Sequence, residues 1–278
     1  DGFHSYNKCC RSKQDTGRSK ENLKSYTQDR RSYEYWTDGN FNLVNRVMSE
    51  FNKFHGKVLC PRCSKYKKPS PDHIGPISLG FSNTVQNIQS MCKSCNSAKN
   101  NRMSYNDFIQ LLKIDGDQGK VMSWHSKGLW NNLKHRVKNQ SDTDKLSSIL
   151  SHHLKTVLTI FYEISQLPGG NKVLMEKLNP KFSFYSYDFE NFDPTNLESC
   201  KIIEKEFDSK NKEKNSQRYI RVSFESLKTM SEKDNRKNKI TINKAVSEIL
   251  TRDNNVEFSE DDLDSILKSL EREFSLMW

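Results

Sequence analysis

Two Cys-x-x-Cys pairs, separated by 28 residues, constrain this chain more than any other feature of its sequence. The pairs are Cys60 with Cys63 and Cys92 with Cys95. Four sulfur ligands in two short turns suit a tetrahedral Zn²⁺ ion, with Zn–S bonds of about 2.3 Å. Because sulfur fills all four coordination positions, we expect this zinc to be structural rather than catalytic. The spacer is wider than in a compact zinc ribbon and should contain an inserted element.

The seven cysteines of this 278-residue chain do not indicate a secreted disulfide framework, which would be even in number and denser. Cys9, Cys10 and Cys200 have no partner at metal-ligand spacing, and we assign them no function. We expect a reducing, intracellular environment. No apolar run approaches the roughly 18 residues of a membrane-spanning helix, and no signal peptide is apparent. Since the chain begins with Asp1, we expect a fragment or a processed form.

The positive charge of the chain is confined to its N-terminal part. Residues 1–113 contain 19 Lys and Arg against 9 Asp and Glu, which accounts for the whole net charge of +10. Residues 114–278 contain 26 of each sign. This asymmetry is typical of a surface that binds a polyanion, although charge alone does not exclude a merely soluble basic protein.

Hydrophobic periodicity predicts a predominantly helical chain of the α+β class, long enough for one large domain or two smaller ones. Apolar residues at helical spacing predict an amphipathic helix over residues 42–56. They also predict a longer helix over residues 146–161, which a Pro-Gly-Gly run ends at 168–170. Capping boxes predict that further helices begin at Ser104 and Ser259.

Alternation of apolar and polar residues predicts two strands in the C-terminal half of the chain. The alternation is partial over residues 181–192 and clean over residues 219–224. Residues 208–217, between them, are almost wholly charged or polar and indicate an exposed loop.

The insert between the Cys pairs contains residues that can ligate a metal and accept a proton. Asp72 and His73 are adjacent, Asn87 precedes the second pair, and Asn96 follows it directly. Carboxylate and amide oxygens are ligands that a hard divalent cation prefers. An imidazole with a pKa near ~6.5 can accept a proton from water at neutral pH. Hydrolysis of a phosphodiester by an activated water needs such parts.

On these residues, segment 57–103 resembles the HNH nuclease motif, also called the ββα-metal fold. The resemblance rests on the Cys pairs, on Asn87 and Asn96, and on the run Asp72-His73-Ile74-Gly75-Pro76-Ile77-Ser78-Leu79-Gly80. This run looks especially like that of type IIS restriction endonucleases of the HNH class, which bind an asymmetric site and cut outside it. Asn96 stands where the founding motif has histidine, and asparagine is a common variant there.

The resemblance implies a role for each matching residue. His73 would be the general base that activates water, and Asp72 and Asn96 would coordinate one catalytic Mg²⁺. Asn87 would fix the loop behind the histidine and help to orient its ring. The implied products carry 5′-phosphate and 3′-hydroxyl ends.

The resemblance also implies double-stranded DNA as the partner and a prokaryotic cytoplasm as the location. Lys99 and Arg102 would face the DNA backbone, and Lys67 and Lys68 are further candidates for phosphate contacts. One metal centre cuts one strand, so a double-strand break implies a homodimer or two sequential nicks.

Three regions follow from these patterns. Residues 1–56 are a basic segment with one amphipathic helix and possible DNA contacts, and residues 57–113 are the HNH module with its four-cysteine zinc site. Residues 114–278 are a helix-rich region for recognition or dimerisation.

Two other functions stay open from the sequence. A zinc-stabilised DNA-binding module without catalysis explains the charge and the cysteines, but not why Asp72, His73 and Asn96 occur together. A homing or mobile-element HNH endonuclease is the second. A nuclease motif that begins at Pro71-Asp72 and ends in Asp/Glu-x-Lys is missing its second half, since residues 73–106 contain no Asp or Glu. We interpret the remaining histidines as structural or surface residues: His4, His55, His125, His135, His152 and His153.

Overall fold

The computed structural model describes residues 30–118, 120–232, 242–253 and 255–278. Within them the predicted α+β class with mostly helices is confirmed. A first helical segment covers residues 30–36. The helices after it are α1 (Phe41–Lys53), α2 (Lys93–Lys99), α3 (Tyr105–Gln118), α4 (Lys127–Leu133), α5 (Gln140–Ile164), α6 (Gly170–Lys177), α7 (Ser209–Ser231), α8 (Lys244–Leu250) and α9 (Glu260–Ser275).

The strands of the described residues form three separate antiparallel hairpins. They are β1 (Val58–Leu59) with β2 (Tyr66–Lys67), β3 (Pro69–His73) with β4 (Ile88–Cys92), and β5 (Tyr185–Glu190) with β6 (Lys201–Glu206). Helix α2 follows β4 without an intervening residue. The middle hairpin and α2 therefore form a strand–strand–helix unit, with the loop 74–87 between its strands.

One large apolar core holds the helical part of the molecule together. Helix α5 lies in its middle, with Leu146, Leu154 and Phe161 fully buried. Trp36 and Phe274, from opposite ends of the described chain, belong to the same cluster. Burying a large apolar side chain stabilises a fold by roughly 1.5–3 kcal/mol, so this cluster is the main stabilising element. The proposed division into three regions stays a prediction.

The amphipathic helix predicted over residues 42–56 is confirmed as α1, which begins after Asn40. The Asn40 side chain accepts a hydrogen bond from the Leu43 N–H and caps the helix. Val44, Val47 and Phe51 form its buried face, and they pack with Ile88 of β4 in a second, smaller cluster. Helix α1 therefore supports the strand–strand–helix unit from one side.

The other predicted helices are also confirmed. Ser104 and Asp107 form reciprocal hydrogen bonds at the start of α3, and Ser259 forms a capping box with Asp262 at the start of α9. Helix α5 ends at Ile164, before the Pro-Gly-Gly run. In the segment 181–192, where partial alternation predicted a strand, residues 185–190 form β5.

The strand predicted over residues 219–224 and the loop predicted over 208–217 are wrong, because nearly all of both segments lies in helix α7. The buried positions of this helix are Tyr219, Ser223, Ser226, Leu227 and Met230, which follow helical spacing. Ser223 and Ser226 lie on the buried face, and their backbone carbonyls accept hydrogen bonds from Trp36 and Ser32. A buried face made partly of serine is invisible to a search for apolar periodicity, so the alternating apolar residues suggested a strand instead.

A search for membrane-spanning segments, made over the described residues, finds no helix with the length and apolar character that crossing a bilayer requires.

Candidate functional site

The four cysteines of the two Cys-x-x-Cys pairs come together as one cluster. The ligand atoms of Cys60, Cys63, Cys92 and Cys95 all lie within 4.8 Å of one another. The Sγ atoms of Cys63 and Cys92 are 3.8 Å apart. The edge of a tetrahedron with Zn–S bonds of about 2.3 Å is about 3.8 Å as well. The cluster is therefore compatible with a zinc ion held by four sulfur ligands.

The thiols of this cluster shift the pKa values of one another. Hydrogen bonds from the Ser94 hydroxyl and the Cys95 backbone lower the pKa of Cys92 to about 6. The hydrogen bond between the side chains of Cys95 and Cys92 raises the pKa of Cys95 to about 12. Four adjacent thiolates repel one another, so all four can be deprotonated together only around a positive ion.

The hairpin β3–β4 places Asp72 and His73 at the end of a strand, directly before the loop 74–87. In the hairpin register Asp72 is opposite Gln89, and His73 is opposite Ile88. Helix α2 then brings Asn96 to the same place. Asp72, His73 and Asn96 line one cleft of about 630 Å³. The structure thus brings together three residues that span 25 positions of the sequence.

Two cationic side chains, Arg30 and Lys155, line the same cleft from outside the strand–strand–helix unit. Arg30 precedes α1, and Lys155 belongs to α5. The cleft therefore combines a carboxylate, an imidazole and an amide with positive charge from two other elements. This combination can accept an anionic substrate.

Asp72 is a buried carboxylate with one oxygen in use. Its Oδ2 atom accepts hydrogen bonds from Lys99 Nζ at 2.6 Å and from Gln89 Nε2 at 2.9 Å. Burial raises the pKa of Asp72, and the charge of Lys99 opposes that rise. The Oδ1 atom has no hydrogen-bond partner within the described residues and is not a buried unpaired atom. One carboxylate oxygen is therefore available to a ligand.

Asn96 is arranged in the same way. Its Nδ2 atom donates to the carbonyl of Pro71 at 2.7 Å and to the hydroxyl of Ser70 at 3.1 Å, and both acceptors lie in β3. These bonds fix helix α2 to the strand and leave Oδ1 as the free oxygen of the amide. The side chains of Asp72 and Asn96 can each offer one oxygen to a cation in the cleft.

His73 presents a half-buried imidazole at the edge of the cleft. Its Nε2 atom lies 3.0 Å from Oδ1 of Asn83. Burial lowers the pKa of His73 to about 4. The ring is therefore neutral at pH 7, which is the form that can accept a proton.

Asn87 is buried behind the histidine and fixes the loop 74–87. Its Oδ1 accepts from the N–H of Gly75, and its Nδ2 donates to the carbonyls of Gly75 and Ser82, each at 2.8 Å. These bonds agree with the loop-fixing part of its predicted role. The residue in contact with the imidazole ring is Asn83, which the sequence analysis did not identify.

The prediction that Lys99 faces the DNA backbone is wrong. Lys99 is 3% exposed, and its ammonium donates to Asp72 Oδ2, to the carbonyl of His73 at 2.5 Å and to that of Ile74 at 3.0 Å. An ammonium has three donors, so its capacity is used inside the protein. A lysine near a helix end is normally solvated, and only the fold shows that this one turns inward.

Two more residues join this buried polar network. The amide of Gln89 donates to Asp72 and also to Asp107 of α3, at 3.1 Å. Asp107 Oδ1 lies 3.6 Å from Lys99 Nζ. The network therefore links β3, β4, α2 and α3. Gln89 lies two residues after Asn87, in the strand that pairs with the strand of Asp72. This position is the one signal for Gln89 in the sequence.

The other predicted DNA contacts are exposed. Lys67, the last residue of β2, and Lys68, which follows it, lie at the surface, and Lys68 Nζ donates to the carbonyl of Asn52. Arg102 is exposed and donates to the carbonyls of Ala98 and Lys99. Their contact with DNA stays a prediction.

Of the histidines and cysteines that the structure describes, His73 alone lines the cleft. His125 and His153 are buried in the main core, and His152 is exposed beside the ring of Phe274. Cys200 is a buried free thiol. His4, Cys9 and Cys10 lie outside the described residues.

Comparison with family models defines the class of the protein as a restriction endonuclease. The model described as Type II restriction endonuclease (RE_Alw26IDE) matches residues 1–275. The match covers nearly the whole chain, which therefore belongs to this family. Membership makes the chain a site-specific DNA endonuclease with DNA as its partner, in a class that usually uses a divalent metal ion. Comparisons with curated proteins and with solved structures gave no match.

Proposed function

We propose that this endonuclease cleaves DNA with a one-metal HNH site in which His73 is the general base. The observation that supports the proposal is the placement of Asp72, His73 and Asn96 around one cleft by a strand–strand–helix unit. A binding module without catalysis has no need for a neutral imidazole beside two available oxygen ligands. A homing or mobile-element enzyme could use the same site, but the family match favours restriction.

Asp72 and Asn96 would hold a Mg²⁺ ion through their Oδ1 atoms. Neither oxygen has a hydrogen-bond partner within the described residues, and hard oxygen ligands suit Mg²⁺. When bound, such an ion neutralises charge on the phosphate and assists the departing oxygen. Asn87 keeps the loop behind the histidine in place.

The imidazole of His73 takes a proton from the attacking water. The water oxygen forms a bond to phosphorus, and the bond from phosphorus to the 3′ oxygen breaks. That oxygen takes the bonding electron pair and a proton from solvent, which leaves 5′-phosphate and 3′-hydroxyl ends. His73 then releases its proton to solvent and returns to the neutral form that its burial favours.

The four-cysteine cluster would hold a structural Zn²⁺ ion. All its ligands are sulfur, so no position is open for a reacting water. Cys92 is the last residue of β4, and Cys95 is adjacent to Asn96 in α2. Zinc at this point would fix the start of the helix that carries one of the Mg²⁺ ligands.

The zinc-bearing face would bind the DNA backbone. Residues 51–106 contain Asp72 as their only acidic residue, and it is buried. A shallow groove on this face is lined by Lys57, Lys67, Lys68 and Lys93, together with the exposed ring of Tyr66. Lysines that neutralise DNA phosphates release the counterions condensed on the DNA, which favours binding. A type IIS mode of cutting and a homodimer for double-strand cleavage are part of the same proposal.

The test is cleavage of supercoiled plasmid DNA in Mg²⁺ by the purified chain and by His73→Ala. We expect the variant to bind DNA and to cut at least about 100-fold more slowly, in line with loss of a general base. His55→Ala, an exposed histidine near the same module, is the matched control and should cut normally. Cleavage by His73→Ala at the wild-type rate would refute the catalytic role of His73. If the wild-type chain cleaves no DNA, the proposed endonuclease activity is refuted.

A further inference from the structure

Asn83 lies in the loop 74–87, where it is buried behind His73. Its Oδ1 atom is 3.0 Å from Nε2 of the histidine. We propose that Asn83 is the positioning residue for His73: it holds the proton on Nε2 and leaves the lone pair of Nδ1 for the attacking water. This inference rests on the proposed function, since it names the atom of the general base that acts.

The backbone of Asn83 is held firmly in place. Its N–H donates to the carbonyl of Asp38 at 2.6 Å. Gly39, the residue after Asp38, has φ +119°, and a Cβ atom there would lie 2.1 Å from the Asn83 carbonyl oxygen. No side chain could replace this glycine without displacing Asn83. The close approach of the two backbones therefore requires glycine.

The turn that holds Asn83 is itself fixed to the helical part of the molecule. The N–H of Asp38 donates to the hydroxyl of Ser123, and its carboxylate accepts from the N–H of Trp124 at 2.9 Å. Asn83 thus connects the imidazole to a rigid support outside the hairpin. Supported contacts of this kind orient reacting groups in enzyme sites.

The direction of the hydrogen bond decides which ring nitrogen can act as a base. A neutral imidazole has one N–H donor and one acceptor nitrogen. Because a carbonyl oxygen only accepts, Oδ1 of Asn83 selects the form with the proton on Nε2. The Nδ1 atom then has a lone pair. It has no hydrogen-bond partner within the described residues and is not a buried unpaired atom. With the Asn83 amide reversed, the proton would sit on Nδ1 and block proton transfer from water.

The first measurement needs no variant of Asn83. Long-range ¹H–¹⁵N correlation spectra of the zinc-loaded wild-type chain, recorded without Mg²⁺, report which ring nitrogen of His73 carries the proton. The signals are assigned by their loss in His73→Gln. We expect the proton on Nε2. A proton on Nδ1 would overturn the proposal whatever the variants do.

The second measurement compares Asn83→Asp with Asn83→Ala in single-turnover cleavage at pH 8.5. Asp keeps an acceptor oxygen and should stay within about 5-fold of wild type, whereas Ala should lose about 10- to 100-fold, as outer positioning residues do. The affinity for DNA should not change in either. The same pair at the exposed Asn131 is the control. If Asp loses as much as Ala, the accepting role is refuted. A wild-type chain that cuts no DNA would refute the proposed function, while the ring spectrum would still report on Asn83.

Discussion

The strand–strand–helix unit and the helical body around α5 are stabilised by different physical means. The body contains fully buried apolar side chains such as Leu154 and Phe161. The unit next to the four cysteines has a very small apolar cluster, in which Met91 accompanies Cys60 and Cys92. Its strands have at most five residues, and short hairpins are marginal on their own in water.

Polar bonds hold the parts of the unit together, while its loop 74–87 packs Ile74, Ile77, Leu79 and Phe81 into the main core. The buried ammonium of Lys99 and the amides of Asn87 and Gln89 bind its strands, its loop and its helix together. The body would survive the loss of any one polar contact, whereas the unit should depend on each. The proposed catalytic residues would thus lie in the part of the molecule whose stability depends most on single contacts.

Removing zinc should separate the two regions most strongly. Structural zinc contributes about 10–16 kcal/mol in small zinc-dependent domains. The chain with Cys92→Ser, or the chain depleted by a chelator and returned to Mg²⁺, should lose cleavage entirely. Most of its helical circular dichroism should remain, since the helical body contains none of the four cysteines.

Cys200→Ser is the matched control for this experiment, because it removes a buried cysteine outside the cluster. It should retain one zinc per chain by mass spectrometry, and it should cut DNA. Collapse of the whole helical signal on zinc removal would show that the two regions are not stabilised separately. Cleavage by a zinc-free chain at the normal rate would show that the cluster does not support the site.

Replacing Lys99 should give the next largest effect. Lys99→Met removes the ammonium and leaves the Asp72 carboxylate buried without its cation. Breaking a buried pair in this way typically costs about 3–5 kcal/mol. We expect a corresponding fall in the free energy of unfolding, measured with urea in the presence of zinc, together with loss of cleavage.

Lys113→Met, on the exposed side of α3, should change stability by less than about 0.5 kcal/mol. Equal losses in the two variants would contradict the buried role of Lys99. If Lys99→Met has normal stability but binds DNA weakly, Lys99 contacts the DNA backbone, as the sequence analysis predicted.

The sequence predicted those features of the structure that follow a regular pattern along the chain. Helix α5 was predictable because its buried residues recur at helical spacing. The group of Asp72, His73 and Asn96 was identified because the spacing of residues in a motif is itself a pattern. Helix α7 was missed since serines replace apolar residues on its buried face.

Asn83 and Lys99 were not predictable in the same way, because their roles depend on partners that the sequence does not place nearby. Asn83 is positioned by Asp38 and Gly39, more than forty residues earlier. Lys99 turns inward because Asp72 and the carbonyls at the end of β3 offer it three acceptors. Such contacts are set by loop geometry, for which no local propensity exists.

Acid should affect the helical body, and the effect expected for a single buried histidine is the smallest of the three. Burial lowers the pKa of His125 to about 4 and that of His153 to about 3. In the unfolded chain both titrate near ~6.5, so between that pH and about 4 the unfolded state binds more protons than the folded one. Stability is therefore fully present above pH ~6.5 and is lost as the pH falls through this window.

The expected loss is on the order of 3 kcal/mol for His125 alone, from a shift of about 2.5 pKa units. Urea unfolding of the zinc-loaded chain at several pH values from about 7 to about 4 measures it. His125→Gln should flatten the dependence of unfolding free energy on pH, whereas the exposed His135→Gln should leave the slope unchanged. If His125→Gln unfolds with the wild-type slope, the buried histidine is not the origin of acid sensitivity. Any acid loss of the body would then come from His153 or from carboxylates, and the contrast between the two regions would rest on the zinc and Lys99 experiments.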